Sequence, residues 1–367
     1  LQGVRCKMAA AEELPTKYVK LAKAQLREDP TNVSAHVEAL RRWLASTPHL
    51  TCPDGRSSSM IPLNNNAYFC FVDEEFLVMF LRQSKYLHAK AQARLDNFCT
   101  LSTKKFIGDV IWGTPLDLNS NALDSYLNAG NYSMHLPLGY LRNGRMGVWI
   151  RPGSGAWNPD VLSLAQMIYY AYKVIYMVAL DPRTIIGGTV VLVDFTGSIS
   201  KQIVKDPNEI KSWSRFLQQE AMPMRPRRII FYNEDKLSNT VENIIMFYMK
   251  EKIKRRVVCL APTTAMFKCG PDIAKVFQVE PNLKPALPPN VGGEGRPLKD
   301  LIRKSKLEAN KRHFLEFYGK GDPTGTIKVD ESKRPMSARE FLRAYKDYNA
   351  DVMGKSGTYI KANQGEI

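Results

Sequence analysis

This chain offers almost nothing from which a metal or redox centre could be assembled. Its six cysteines (Cys6, Cys52, Cys70, Cys99, Cys259 and Cys269) contain no CxxC pair and no other close metal spacing. Its five histidines (His36, His49, His88, His135 and His313) form no His-Glu-x-x-His motif and no pair four residues apart. Reduced, mostly buried thiols in a cytoplasmic protein are therefore expected, with no metal and no cofactor. Gly-x-Ser-x-Gly elbows are absent. Gly354-Lys355-Ser356 ends like a phosphate-binding loop, but Asn349 stands where that motif needs glycine and no strand pattern precedes it. An enzyme is not expected. The longest apolar stretch, Met167 to Leu180, is broken by Lys173 and falls short of the roughly 20 residues that span a bilayer. The opening LQGVRCKMAAAEELP lacks the apolar core of a signal peptide. Lys and Arg never run for five residues together, so nucleic acid is not the expected partner.

What is abundant is positive charge. Against 36 acidic residues stand 52 Lys and Arg, a net +16, which favours anionic partners such as a lipid surface. Hydrophobic residues make up 44%, enough for an ordinary globular core, and 367 residues allow two domains.

Residues 11 to 105 read as helical, in four segments: Glu12 to Arg27, Val33 to Ala45, Asp73 to Lys85 and Ala89 to Thr100. A turn-rich insertion, Ser57 to Asn66, separates the second from the third. The pattern then changes. Gly147-Val148-Trp149-Ile150 is a short apolar run before a Pro/Gly turn, and a helix fits Asn158 to Leu180 with Pro159 in its first turn. Thr189 to Asp194 is rich in β-branched residues, as in a strand buried on both faces. A helix fits Asn208 to Glu220, and Ile229 to Tyr232 is a further strand. Strands alternating with helices make an α/β domain. Beyond Leu260 the chain is Pro-rich, a helix fits 297 to 318, and Ser337 to Tyr348 has helix potential.

The stretch from Met222 to Leu260 is the most informative. Arg225, Arg227, Arg228, Lys236, Lys250, Lys252, Lys254, Arg255 and Arg256 face only Glu234, Asp235, Glu242 and Glu251. After Asn233, the apolar residues Leu237, Val241, Ile244, Ile245 and Tyr248 fall on one helical face. A basic rim beside an apolar helix suits contact with an anionic membrane. It also suits an ordinary helix, because cations favour the C-terminal end. Ile168, Ala171, Tyr172 and Ile175 share one face of the longer helix, a spacing that core packing and a cavity wall would both produce.

Four motifs in order carry a resemblance. Phe80-Leu81-Arg82, followed by the helix through Ala89 and Ala91, looks like an N-terminal helix pair. Gly188 to Gly197 has the pattern Gly-x-x-x-apolar-x-Asp-x-x-Gly. Met222-Pro223-Met224-Arg225 through Asn233, with Lys252 and Arg256 after it, looks like a strand followed by a lid helix. Leu287-Pro288-Pro289-Asn290-Val291-Gly292-Gly293 has the form of a closing Leu-Pro-x-Glu-Tyr-Gly-Gly. Over about residues 35 to 295 the chain resembles the CRAL-TRIO lipid-transfer family. Asp235 where the family has proline, and Asn290-Val291 in place of Glu-Tyr, leave the subfamily and its ligand open.

The resemblance implies an N-terminal helical module at 11–105, an α/β CRAL-TRIO domain at 106–296 with a mixed, mainly parallel sheet and a mobile lid helix, and a polar extension at 297–367. It implies one bound hydrophobic molecule (a retinoid, carotenoid, tocopherol or similar lipid) in an apolar cavity. Ile168, Ala171, Tyr172, Ile175, Val191, Val193, Leu217 and Ile229 would line that cavity, with Val241, Ile244, Ile245 and Tyr248 on the lid. Arg82, Arg225, Lys252 and Arg256 would bind a phosphoinositide headgroup. The expected protein is a monomeric, cytoplasmic carrier that meets anionic membranes peripherally and reversibly. A phosphoinositide-binding scaffold that carries no cargo is the alternative.

Overall fold

Pro15 is extended, and from Thr16 the apolar residues recur every fourth position: Tyr18, Ala22 and Leu26 are all buried along the first helix, α1 (Thr16–Leu26). The computed structural model describes residues 14–51, 74–103, 105–107, 110–111, 116–127, 135–151, 160–195, 224–232, 246, 251–260, 273–301, 304–319 and 328–334. Their contacts fall into two units. One takes the described residues up to 111 together with 328–334, and the other takes those from 116 to 319.

The first unit is helical. It contains α1, α2 (Val33–Ala45), α3 (Glu74–Gln83) and α4 (His88–Thr103). Phe76 through Leu81 are buried without a break, so α3 is the central helix. Phe76, Phe80 and Phe98 pack edge to face at 5.1–5.8 Å between centroids. Lys85 and Tyr86 take left-handed φ of 55° and 59° at the corner between α3 and α4. A two-residue ladder joins this unit to distant sequence, with Leu50 opposite Val329 and Thr51 opposite Lys328. Just beyond it, Arg334 is sealed against α4 by Asp96 (2.8 Å), Thr100 (3.0 Å) and His49 (2.9 Å).

The residues expected as one extension at 297–367 are thus divided. Leu298–Leu301 and Lys304–Gly319 belong to the second unit, and 328–334 to the first. The division at 115/116 also lies ten residues beyond the expected boundary. The helix potential at Ser337 to Tyr348 and the insertion at Ser57 to Asn66 lie outside the described residues.

The second unit is built on a five-stranded sheet in sequence order: β1 (His135–Tyr140), β2 (Met146–Ile150), β3 (Thr189–Asp194), β4 (Pro226–Tyr232) and β5 (Val257–Leu260). β1 and β2 form an antiparallel hairpin, and β2 through β5 are parallel. This is the mixed, mainly parallel sheet expected. A parallel step needs a crossover, and β2 reaches β3 through α6 (Leu164–Ala179) and α7 (Pro182–Gly187). α6 begins later than the Asn158 expected from Pro159. Its N-cap is Ser163, whose hydroxyl accepts from Gln166 N (3.2 Å) while the Gln166 side chain accepts from Ser163 N (3.0 Å).

The two faces of the sheet differ. Trp149, Val190, Leu192 and Ile230 alternate onto one face and are at most 1% exposed. They pack with Val276 of α8 (Ile273–Val279) and with Leu283 and Leu287 of the following turns. The closing Gly-Gly explains itself here. Gly292 has φ +82°, and a Cβ on Gly293 would stand 2.0 Å from the Leu287 carbonyl oxygen. Helices cover the other face. α5 (Asn121–Leu127) meets it where Tyr126 approaches His135, and α7 where the Thr184 hydroxyl lies 2.9 Å from that of Tyr140. α6 touches both of these helices. An outer helix, α9 (Lys304–Gly319), packs on α6 through Phe317 against Tyr176, and Tyr318 donates to the Lys173 carbonyl at 2.7 Å. Lys173 itself is fully buried, its ammonium over the Tyr169 and Tyr318 rings.

Candidate functional site

On the helix-covered face, the register aligns Pro137, Val148, Val191, Ile229 and Val257 in one row and His135, Ile150, Val193, Phe231 and Cys259 in the next. β3 is the middle strand of five, where a valine would normally be enclosed. Yet Val191 and Val193 are only half-buried, although their neighbours Val190 and Leu192 are sealed. Val148, Ile150, Ile229 and Val257 are half-buried as well. One side of the sheet is solid packing, and the other leaves apolar surface beneath the helices. Lys173, Tyr169 and Tyr176 turn α6 toward α9, which leaves Ile168, Ala171 and Ile175 roughly opposite.

At the β1 end the lining becomes polar. The Tyr126 ring lies between His135 (6.0 Å) and Tyr170 (5.6 Å), and the Tyr170 hydroxyl is 3.3 Å from Ser120 Oγ. Burial lowers His135 to about 4 and raises the phenols of Tyr126 and Tyr170. All three groups are therefore neutral near pH 7.

A second feature lies at the opposite ends of the strands. Between Thr189–Pro226 and Val190–Arg228 the register shifts, and Arg227 is the extra residue of a bulge. Gly188 makes room for it. With φ +79°, a Cβ there would stand 2.6 Å from both the Arg225 carbonyl oxygen and Arg227 Cγ. Burial, together with the charges of Arg145 and Arg256, lowers the Arg227 pKa, so three guanidinium groups share this edge. Arg227 Nε is buried and, among the described residues, has no hydrogen-bond partner. Glu280, itself buried, accepts from Arg145 at 2.9 Å and stands 4.0 Å from Arg228. Arg225 has a structural occupation, donating to the last carbonyls of α7, Ile185 O (2.8 Å) and Ile186 O (2.9 Å). Arg256 donates to Pro226 O. Lys252 is exposed on the helical residues Glu251–Lys254, and Arg256 lies beyond the end of that helix.

Residues 131–272 match the family described as CRAL/TRIO domain. The chain carries a CRAL/TRIO domain. It is also similar to alpha-tocopherol transfer protein-like proteins. That of Mus musculus is 26% identical over 311 residues, covering 84% of this chain and 77% of the relative. Those of Pongo abelii (317 residues, 85% and 79%) and Homo sapiens (311 residues, 84% and 78%) are 26% identical as well.

The CRAL/TRIO domain spans β1 to β5 with α6 and α7. Of the residues singled out in the sequence, Val191, Val193 and Ile229 come together on its helix-covered face. Ile168, Ala171 and Tyr172 are buried on α6, and Ile175 is half-buried. Leu217, Val241, Ile244, Ile245 and Tyr248 lie outside the described residues, and so does the lid helix expected between Leu237 and Met249 apart from Met246, which is helical and half-buried. Arg82 belongs to the helical unit, where a bidentate pair with Glu28 (2.7 and 2.8 Å) occupies its guanidinium. Sequence reasoning passed over Val148, Ile150 and Val257, which are legible only once strand register is known. It also passed over Arg227, because nothing in the string Arg-Pro-Arg-Arg says which arginine a bulge will turn aside. Among the described residues no three His, Cys, Asp or Glu gather as a metal site, and of the two described thiols Cys99 is buried and Cys259 exposed.

Proposed function

We propose that this protein carries one apolar molecule on the helix-covered face of its CRAL/TRIO sheet and exchanges it at an anionic membrane. The uncovered apolar surface of Val191 and Val193 on the central strand carries this reading. Burying such surface is worth about 25 cal/mol per Å², so a central strand that leaves it open offers it to a guest. The similarity to alpha-tocopherol transfer protein-like proteins supports a lipid as that guest. A tocopherol is one member of the expected class, and retinoids and carotenoids are others. Arg227, Arg256 and Lys252 would meet a phosphoinositide headgroup, since a buried guanidinium N–H without a partner is an open donor for phosphate oxygen. Among the described residues no helix is long and apolar enough to cross a membrane, which accords with peripheral contact. Mass spectrometry of an organic extract of the purified protein tests the reading, with one apolar compound expected per chain. An empty protein that still binds phosphoinositide vesicles would support instead a scaffold that reads the headgroup without carrying cargo, a reading that Arg227 also favours.

A further inference from the structure

The apolar face is not apolar to its end. His135 closes the row that runs through Ile150, Val193 and Phe231, and Tyr126, Tyr170 and Ser120 stand beside it on and before α5 and α6. Three hydroxyls and an imidazole at one corner of a greasy surface call for a chemical explanation. Core packing explains them poorly. Tyr126 and His135 lie deep enough for burial to hold them neutral, yet each keeps part of its surface uncovered, as expected at the wall of an internal space. Among the described residues the Tyr126 hydroxyl has one polar neighbour, His135 Nδ1 at 3.5 Å, the long limit of a hydrogen bond. Buried hydroxyls normally do better than that, and one that does not has capacity left for a further partner.

We infer that Tyr126 and His135, supported by Tyr170 and Ser120, form a subsite that takes the single neutral oxygen function of the cargo, a hydroxyl or carbonyl at the end of an otherwise apolar molecule. This rests on the carrier reading above and narrows its ligand class. A neutral phenol and a neutral imidazole between them can donate to and accept from such an oxygen. They offer no counter-charge, so a carboxylate would be buried here unpaired, at a cost that an alcohol escapes. A plain hydrocarbon would leave the hydroxyl of Tyr126 unsatisfied.

Three probes of one shape separate the cases: parinaryl alcohol, parinaric acid and the parent tetraene hydrocarbon, titrated by fluorescence into the delipidated full chain at pH 7.4. The alcohol is expected to bind about fivefold to tenfold more tightly than the hydrocarbon, the worth of roughly one hydrogen bond, and more tightly than the acid. In Tyr126→Phe the alcohol should lose its advantage and bind no more tightly than the hydrocarbon, while the hydrocarbon, no longer facing an unsatisfied hydroxyl, should bind at least as tightly as to the wild-type chain. Equal binding of alcohol and hydrocarbon by the wild-type chain, tighter binding of the acid, or a preference kept in Tyr126→Phe would each overturn the subsite and leave the carrier standing. Failure of all three probes to bind would overturn the carrier reading and the subsite with it. The wild-type comparison needs no variant, so it decides the matter even if Tyr126→Phe does not fold.

Discussion

The Arg334 guanidinium donates to the Asp96 carboxylate at 2.8 Å across 238 residues of sequence, and both side chains are sealed from solvent. Burial alone would raise the Asp96 pKa, but the His49 hydrogen bond and the charge of Arg334 hold it well below the carboxylate range. Removing one partner of such a pair strands the other charge in the core. Arg334→Leu is expected to cost about 3–5 kcal/mol. Replacing both, Arg334→Leu with Asp96→Leu, should cost less than the single change. Thermal melting together with hydrogen exchange over 88–103 measures this, and equal losses in the single and double variants would contradict it.

Adjacent valines on β3 should respond oppositely to enlargement. Val190 is enclosed in solid core, so Val190→Phe overpacks it and should lower stability by about 1–3 kcal/mol. Val191 faces the helix-covered side, half-uncovered. Val191→Phe should leave the melting temperature of the ligand-free protein nearly unchanged and abolish cargo retention. A large loss of apo stability in Val191→Phe would show that this face is packed core.

Two neighbouring arginines should separate membrane binding from folding. Arg225 caps the end of α7, so Arg225→Gln should destabilise the domain by about 1–2 kcal/mol. Arg227 sits among like charges, so Arg227→Gln should cost no stability. It should weaken association with phosphoinositide vesicles, most visibly at low salt. Vesicle flotation with paired melting curves checks both, and undiminished flotation of Arg227→Gln would exclude it from the headgroup site.

Acid should loosen the α/β unit. Burial holds His135 near 4 in the folded chain, against about 6.5 unfolded. A folded pKa below the unfolded one means that the unfolded state takes up the proton first. The stability is complete above pH 6.5 and declines as pH falls from there to about 4, by on the order of 3 kcal/mol. His135→Asn should flatten that decline in urea titrations at pH 7 and pH 5. His88, lowered by burial and by His36 at 2.8 Å, adds a slope of the same sign in the helical unit.

Local pattern carried much of the fold into the sequence. The helix starting at Val33, the β-branched run at Thr189 to Asp194 and the Gly292-Gly293 close were all readable, because helical periodicity, strands and left-handed turns restrict residue type locally. Ser163 and Gln166 were readable too. They spell a capping box, which the proline at 159 obscured.

By itself the sequence determined that β3 would be a buried strand, that α6 would present Ile168, Ala171 and Ile175 on one side, and that basic residues would gather near β4. Only the tertiary structure decided which face of β3 is sealed and which is open, since an alternating strand offers two faces and its neighbours choose between them. It alone placed His135 beside Tyr126 and turned Arg227 aside at a bulge. It also returned Arg334 to the helical unit. Each of these depends on partners far away in the chain, and no residue carries the identity of its distant neighbours in its own type.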